Sequence, residues 1–196
     1  AGGTESMSLV PTAGWRTMPN YELAKENGDY YLNMGLTAEQ VAKDFKVSRE
    51  EQDEFAYHSH MKSLNAIKEG YFKPGILPIT VKEIGINEKG KRTEKQYIVD
   101  TDEGPRADTT KDALAKLKPV FAQGGTVTAG NSSQTSDGAA FVIVMSEKLM
   151  IQLGLQPWGR LVACASAGVD PRIMGIGPVA AVPKALQQAG MKLNDI

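Results

Sequence analysis

Apolar positions recur along this chain in two rhythms. Across residues 48–70 they fall at helical spacing, with Phe55, Tyr57, Met61, Leu64 and Ile67 available for a buried side. Thr37-Ala-Glu-Gln40 and Ser48-Arg-Glu-Glu51 each place a hydroxyl three residues before Gln or Glu. In that capping-box pattern each side chain satisfies a backbone donor that a helix start leaves unpaired. Two helices are predicted, the second running to about Gly70, a residue suited to a left-handed C-cap. Elsewhere the apolar positions run together as strands do. ILPITVKEI (76–84) and QYIVD (96–100) flank a turn at NEKGK (87–91), while AAFVIVMS (139–146) and GRLVACASAGVD (159–170) read as buried strands. A short helix is predicted between Asp108-Thr-Thr and LAKLKP, another over EKLMIQLG (147–154), and a last one over Val182 to Ala189. The last tolerates Pro183 only in its first turn and takes Gly190 as C-cap.

Strand, helix, strand, helix in the final third predicts a layered α/β unit. The first 125 residues are more helical and more irregular, which predicts a subdomain inserted into a sheet-based body. Residues 7–33 hold two prolines and scattered aromatics without low-complexity bias, so an ordered excursion is expected there.

Composition narrows function mainly by exclusion. Apolar residues are 41% and charged residues 23% of 196 residues, which allows one large domain or two small ones with a real core. With 22 basic and 23 acidic side chains the net charge is −1, so no overall field favours nucleic acid or an anionic membrane. No apolar stretch approaches the roughly 18 residues of a membrane span. A single cysteine, Cys164, excludes an internal disulfide framework and fits a reducing, cytoplasmic compartment. Its setting in LVACASAG predicts a buried, inert thiol. The first residues, AGGTESMS, resemble neither a signal peptide nor a natural start, and MKLNDI stops abruptly; both ends are expected to continue in a longer chain.

Candidate chemistry gathers in three loops. TVTAGNSSQTSDGAA (126–140) is nearly free of charge and rich in Gly, Ser, Thr and Asn. Small residues let backbone N–H groups and hydroxyls approach a ligand, and Gly130 permits a positive φ; a surface turn closed by its own side chains is the plainer reading. DEGPRADTT holds Arg106 in a Gly/Pro turn, where it could pin a phosphate, stack on a flat ring or simply be solvated. MGIGP (174–178) is small and bent, with Met174 able to pad a flexible chain. Together the loops suggest a long ligand with apolar and polar sections. His58 and His60 stand two apart on a predicted helix, a poor metal pair, and solvated or capping roles are expected. No phosphate-loop or dinucleotide fingerprint is present, and no metal site is expected.

AGGTESMS, MGLTAEQVA (34–42), SREEQDEFA (48–56), LAKLKPVF (114–121), TVTAGNSSQTSDGAA and GVDPRIMGIGP (168–178), in that order, resemble the thiolases. DEGPRADTT with GNSSQTSDGAA is most similar to the degradative 3-ketoacyl-CoA thiolase branch. The resemblance implies an α/β thiolase-like layered fold, here an incomplete copy with an inserted loop domain. By it, residues 1–6 end an N-terminal half, 7–134 form the loop domain, 135–156 return to that half and 157–196 begin a C-terminal half.

The resemblance further implies coenzyme A as a substrate, with no covalently bound cofactor, and a homo-oligomer at full length. Carried over by position, Arg106 would stack on or pin the adenine nucleotide. Phe121 would line the adenine and pantetheine path, with Ala129 and Gly130 flanking it. Ser133 would hydrogen-bond a pantetheine amide, and Met34 and Met174 would pad the thiol end and acyl group. The implied reaction is ping-pong acyl transfer, in which a cysteine thiolate attacks the 3-keto carbon, acetyl-CoA leaves and the acyl group passes to CoA. The family's nucleophilic cysteine lies upstream of the AGGTESMS-type segment. Its Asn-Glu-Ala-Phe and Gly-His-Pro segments and second cysteine lie beyond the MKLNDI position, so none of the 196 residues is expected to be catalytic and the chain alone is expected to be inactive. Two other readings stay open: a catalytically dead coenzyme A-binding or scaffolding module, and an acetoacetyl-CoA thiolase of the biosynthetic branch. Asn33, where that branch often has His, argues mildly against the last.

Overall fold

Two antiparallel pairs carry the strand structure of the computed structural model, which describes residues 1–11 and 14–196. β1 (Gly2–Ser6) pairs with β4 (Asp137–Phe141), Gly3 facing Ala140 and Glu5 facing Gly138. β2 (Ile79–Ile86) and β3 (Arg92–Val99) form a hairpin with Ile79 facing Val99. The predicted turn at 87–91 closes it: Asn87 Oδ1 accepts the N–H groups of Lys89 and Lys91, both at 3.0 Å, and Gly90 takes φ 70°. Thr12 and Ala13, inside the predicted 7–33 excursion, lie outside the described residues. The rest of that excursion is ordered around α1 (Tyr21–Glu26) and a 3₁₀ turn at Gly28–Tyr31.

The chain forms two compact units, Arg49–Lys118 and a second made of Ala1–Ser48 with Pro119–Ile196. The first unit contains α3 (Arg49–Lys68), the β2–β3 hairpin and α4 (Lys111–Ala115). It lies wholly within the span 7–134. The second holds the β1–β4 pair with α1, α2 (Met34–Asp44), α5 (Glu147–Gln152) and α6 (Gly177–Ala189).

In the first unit α3 begins directly after Ser48 and ends as predicted at Gly70 (φ 76°), where the N–H of Tyr71 reaches back to Ala66 O. Of the five residues predicted for its buried side, Tyr57, Met61, Leu64 and Ile67 are half-buried and Phe55 is not. Asp53 and Ala56 are buried, whereas Phe55 is 79% exposed. An ion pair accounts for the charged member of that face: Arg49 Nε donates to Asp53 at 2.7 Å, and Arg49 Nη2 donates to the carbonyls of Leu114 and Leu117 in and after α4. That guanidinium adds a second partner to the Leu114 carbonyl, which also accepts the Leu117 N–H, and Leu114 is buried beside it. Apolar periodicity found most of this face but could not see the charged pair at its start.

The second unit departs from expectation at four places. α2 starts at Met34, one turn before the predicted cap, because Asn33 Oδ1 already accepts the Leu36 N–H at 2.9 Å. Thr37 is therefore inside the helix, its hydroxyl donating to Met34 O. α6 begins at Gly177 with Pro178 in its first turn, which leaves Pro183 in the interior; Gly190 caps it at φ 67° as predicted. β4 stops at Phe141, and beyond the mutual bonds of Val142 and Ala1 the residues Ile143 and Val144 are unpaired and exposed. The run 159–170 forms no strand, because no described residue pairs with it, and a strand exists only through its neighbour. Cys164 within it is accordingly exposed rather than buried.

Candidate functional site

Helix α2 organises the small-residue loop. Gly35, buried in its first turn, receives the ring of Phe121: a Cβ at position 35 would lie 2.2 Å from the ring's Cγ. Met34 stands immediately before that contact and is exposed. One turn further on, the Glu39 carboxylate accepts the Thr126 N–H at 2.9 Å through each oxygen, the Val127 N–H at 2.8 Å and the Thr126 hydroxyl at 3.1 Å. Beyond it, Val41 reaches within 3.5 Å of where a Gly175 Cβ would be, so the 3₁₀ segment Pro171–Ile176 packs along the same helix. Asp170 starts that segment by accepting the Arg172 N–H at 2.9 Å, and it carries the exposed Met174.

The loop is tied from within as well. Val120 N–H donates to Val127 O at 3.1 Å, beside an isolated antiparallel bridge between Pro119 and Thr128. Asn131 accepts the Thr128 N–H at 2.7 Å and donates to Thr126 O at 3.1 Å. Thr128 is 0% exposed, its hydroxyl accepting the Gly130 N–H, while Ser132 donates to Thr128 O. The side chains of Thr128, Asn131 and Ser132 thus spend their polar groups on the loop itself, and that of Thr126 on Glu39. Ala129 and Ser133 are exposed, and Gly130 is half-buried like Asn131 and Ser132, whose side chains turn back into the loop; that leaves Ala129, Gly130 and Ser133 as the outward positions. Ser133 Oγ donates to its neighbour's carbonyl, Gln134 O at 3.2 Å. One expectation is corrected: Gly130 is not at positive φ, and the left-handed residue is Gly124 (φ 68°), which starts the turn into the loop.

Of the seven predicted site residues, Met34, Phe121, Ala129, Gly130, Ser133 and Met174 belong to this unit. Arg106 belongs to the other. Its Nε and Nη2 donate to Asp108 Oδ1 and Oδ2 at 3.1 and 2.8 Å, a parallel fork. Hydrogen bonding to Arg106 holds the Asp108 carboxyl below its ordinary range and raises the guanidinium in turn. The Arg106 backbone N–H donates to His60 Nδ1 at 3.1 Å, so that imidazole braces the turn, while His58 pairs with Glu54 at 2.7 Å. The two histidines do separate structural jobs. Gly35, Glu39 and Asn131 were not singled out from the sequence. Glu39 was within reach: an acidic residue on α2 with a glycine-rich, charge-poor loop elsewhere in the chain is a pairing worth testing.

A family model described as the thiolase N-terminal domain matches residues 1–148, and one described as the thiolase C-terminal domain matches 155–196. The chain belongs to the thiolase family. It is 52% identical over 196 residues to the 3-ketoacyl-CoA thiolase of Bacillus subtilis, covering 100% of this chain and 50% of that protein. It is 46% identical to an acetyl-CoA acetyltransferase of Pseudomonas aeruginosa, covering 100% of this chain and 51% of that one. Among solved structures, the dimeric peroxisomal thiolase of Saccharomyces cerevisiae superposes with a TM-score of 0.84 at 39% identity, over 100% of this chain and 48% of that one. The α/β thiolase fold is therefore present, and the chain spans about half the length of the relatives it matches. The two family models meet between 148 and 155, at α5. No helix of the described residues is long and apolar enough to cross a membrane.

Proposed function

We propose that this chain holds coenzyme A for a 3-ketoacyl-CoA thiolase, which passes the shortened acyl group to coenzyme A and releases acetyl-CoA. The observation that carries the reading is the gathering of Met34, Phe121, Met174 and the anchored loop 126–133 around one helix. Inward polar groups are consumed and outward ones are small, which suits a slender arm of alternating amide and methylene character lying against backbone. Phe121 supplies a flat apolar wall, Ser133 an amide partner, and Met34 and Met174 adaptable padding. In the other unit, Asp108 already occupies one edge of Arg106, and its negative charge opposes a phosphate there. The exposed guanidinium face is better suited to stacking on adenine. By this proposal 7–134 is the loop domain between two stretches of the N-terminal half, 157–196 opens the C-terminal half, and the working assembly is a homo-oligomer.

The nucleophile is proposed to be a cysteine other than Cys164, which lies in the exposed run 159–170, and the 196 residues alone to be inactive. The degradative branch is favoured by the higher identity to the Bacillus subtilis relative and by Asn33, whose side chain is committed to capping α2. Cytoplasm is the proposed location, with a single unpaired cysteine as its support. The test is thiolysis by the protein at its natural length with 3-ketoacyl-CoA of graded chain length. Turnover of the longer chains is expected. Turnover confined to acetoacetyl-CoA would move the protein to the biosynthetic branch, and failure to bind coenzyme A at all would overturn the reading.

A further inference from the structure

We propose that Glu39 is a positioning residue for the pantetheine arm, setting the loop's outward backbone without touching the ligand; this rests on the coenzyme A reading above. The Thr126 and Val127 N–H groups are donors that point at α2. An ionised carboxylate only accepts, and Glu39 takes both, together with the Thr126 hydroxyl. The fit extends to the residue before. A Cβ at Gly125 would lie 2.2 Å from Glu39 Oε1, so the backbone comes this close to the charge only because position 125 is glycine. The same helix carries Gly35, on which Phe121 rests. One rigid element therefore sets both the aromatic wall and the loop that Ala129, Gly130 and Ser133 present outward. Burial within the loop stiffens the connection: Val127 is buried, and Thr128 fully so.

The chemistry makes a sharp substitution. Glu39→Gln keeps the size but replaces one acceptor oxygen with an NH₂ group, which must then face a backbone N–H. The loop would shift away from α2 and carry its outward face with it. The experiment uses the protein at its natural length and compares coenzyme A with a small thiol acceptor that lacks the pantetheine arm. With Glu39→Gln, KM for coenzyme A is expected to rise roughly tenfold while kcat at saturation stays within about threefold. Turnover with the small thiol is expected to hold. Gly125→Ala, which crowds the same carboxylate without removing it, should move KM in the same direction. It decides the matter if Glu39→Gln does not fold. Gln40→Ala, on the next residue, whose side chain donates along its own helix to Asp44, should change nothing.

If the variants lose activity equally with both acceptors, Glu39 is merely structural and the proposal fails. It fails too if coenzyme A KM in the folded variants stays within about twofold of the parent. Absence of coenzyme A binding by the unaltered protein would instead sink the underlying reading, and this inference with it.

Discussion

The ring of Phe121 lies on the backbone of Gly35, so close that a Cβ at position 35 would fall 2.2 Å from both Cγ and Cδ1 of the ring. The ring itself is partly open to solvent and can swing aside. Gly35→Ala should therefore displace Phe121 more than it unfolds α2, at a cost of about 1–3 kcal/mol if the ring is held and less if it yields. Coenzyme A affinity should fall severalfold. In Gly35→Ala/Phe121→Ala the two losses should not add, because the first already removes what the second deletes. A double-mutant cycle on coenzyme A affinity checks this; strict additivity would mean that the ring contributes no wall to the ligand.

Arg106 and Asp108 offer a second test, since their parallel fork leaves the guanidinium face as the free surface. Arg106→Ala should weaken coenzyme A binding roughly fivefold, and Arg106→Lys should not restore it, because an ammonium does not stack. Pantetheine, which lacks the nucleotide, should bind the variant and the parent alike. Calorimetric titration with both ligands would show it. Rescue by lysine would point to a phosphate contact instead.

Asp137 predicts a pH dependence. Its carboxylate accepts the Ser8 hydroxyl and the Ser8 N–H, and these bonds hold it below the ordinary carboxylate range. For a group depressed in the folded state, the stabilisation is fully present above the unfolded-state value. It is lost as pH falls through the lower folded value. Acid should loosen the junction of β1 with β4, and Asp137→Asn should flatten that part of the melting temperature against pH. An unchanged acid slope in the variant would show that the bond contributes nothing to the pair.

Ile143, Val144 and the stretch around Leu161 present apolar side chains to solvent, Ile143 at 87% and Leu161 at 84% exposure. Unpaired strand-forming segments of this kind associate. The 196-residue chain expressed alone should elute as concentration-dependent oligomers, and Ile143→Lys should reduce them. A monodisperse, cooperatively melting monomer by light scattering would refute this.

Local physics determined much from the sequence alone. The hairpin around Asn87 and Gly90, the C-caps at Gly70 and Gly190, and the short helix after Thr110 depend on residues near one another in the chain, so their signals were legible. The order of small-residue motifs was equally legible and identified the family. What the sequence could not show was settled by partners far away in it. Asn33 preempted the cap at Thr37, Arg49 drew Asp53 rather than Phe55 into the buried face, and the apolar run 159–170 found no neighbour among the described residues to make it a strand. The loop at 126–133 is the clearest case. Composition showed that a backbone could be approached there, while only the tertiary fold decided that Glu39, 87 residues earlier, would take up its inward donors and leave Ala129, Gly130 and Ser133 facing out. A backbone donor must be satisfied by some acceptor, but which one depends on distance in space, and the sequence lists only distance along the chain.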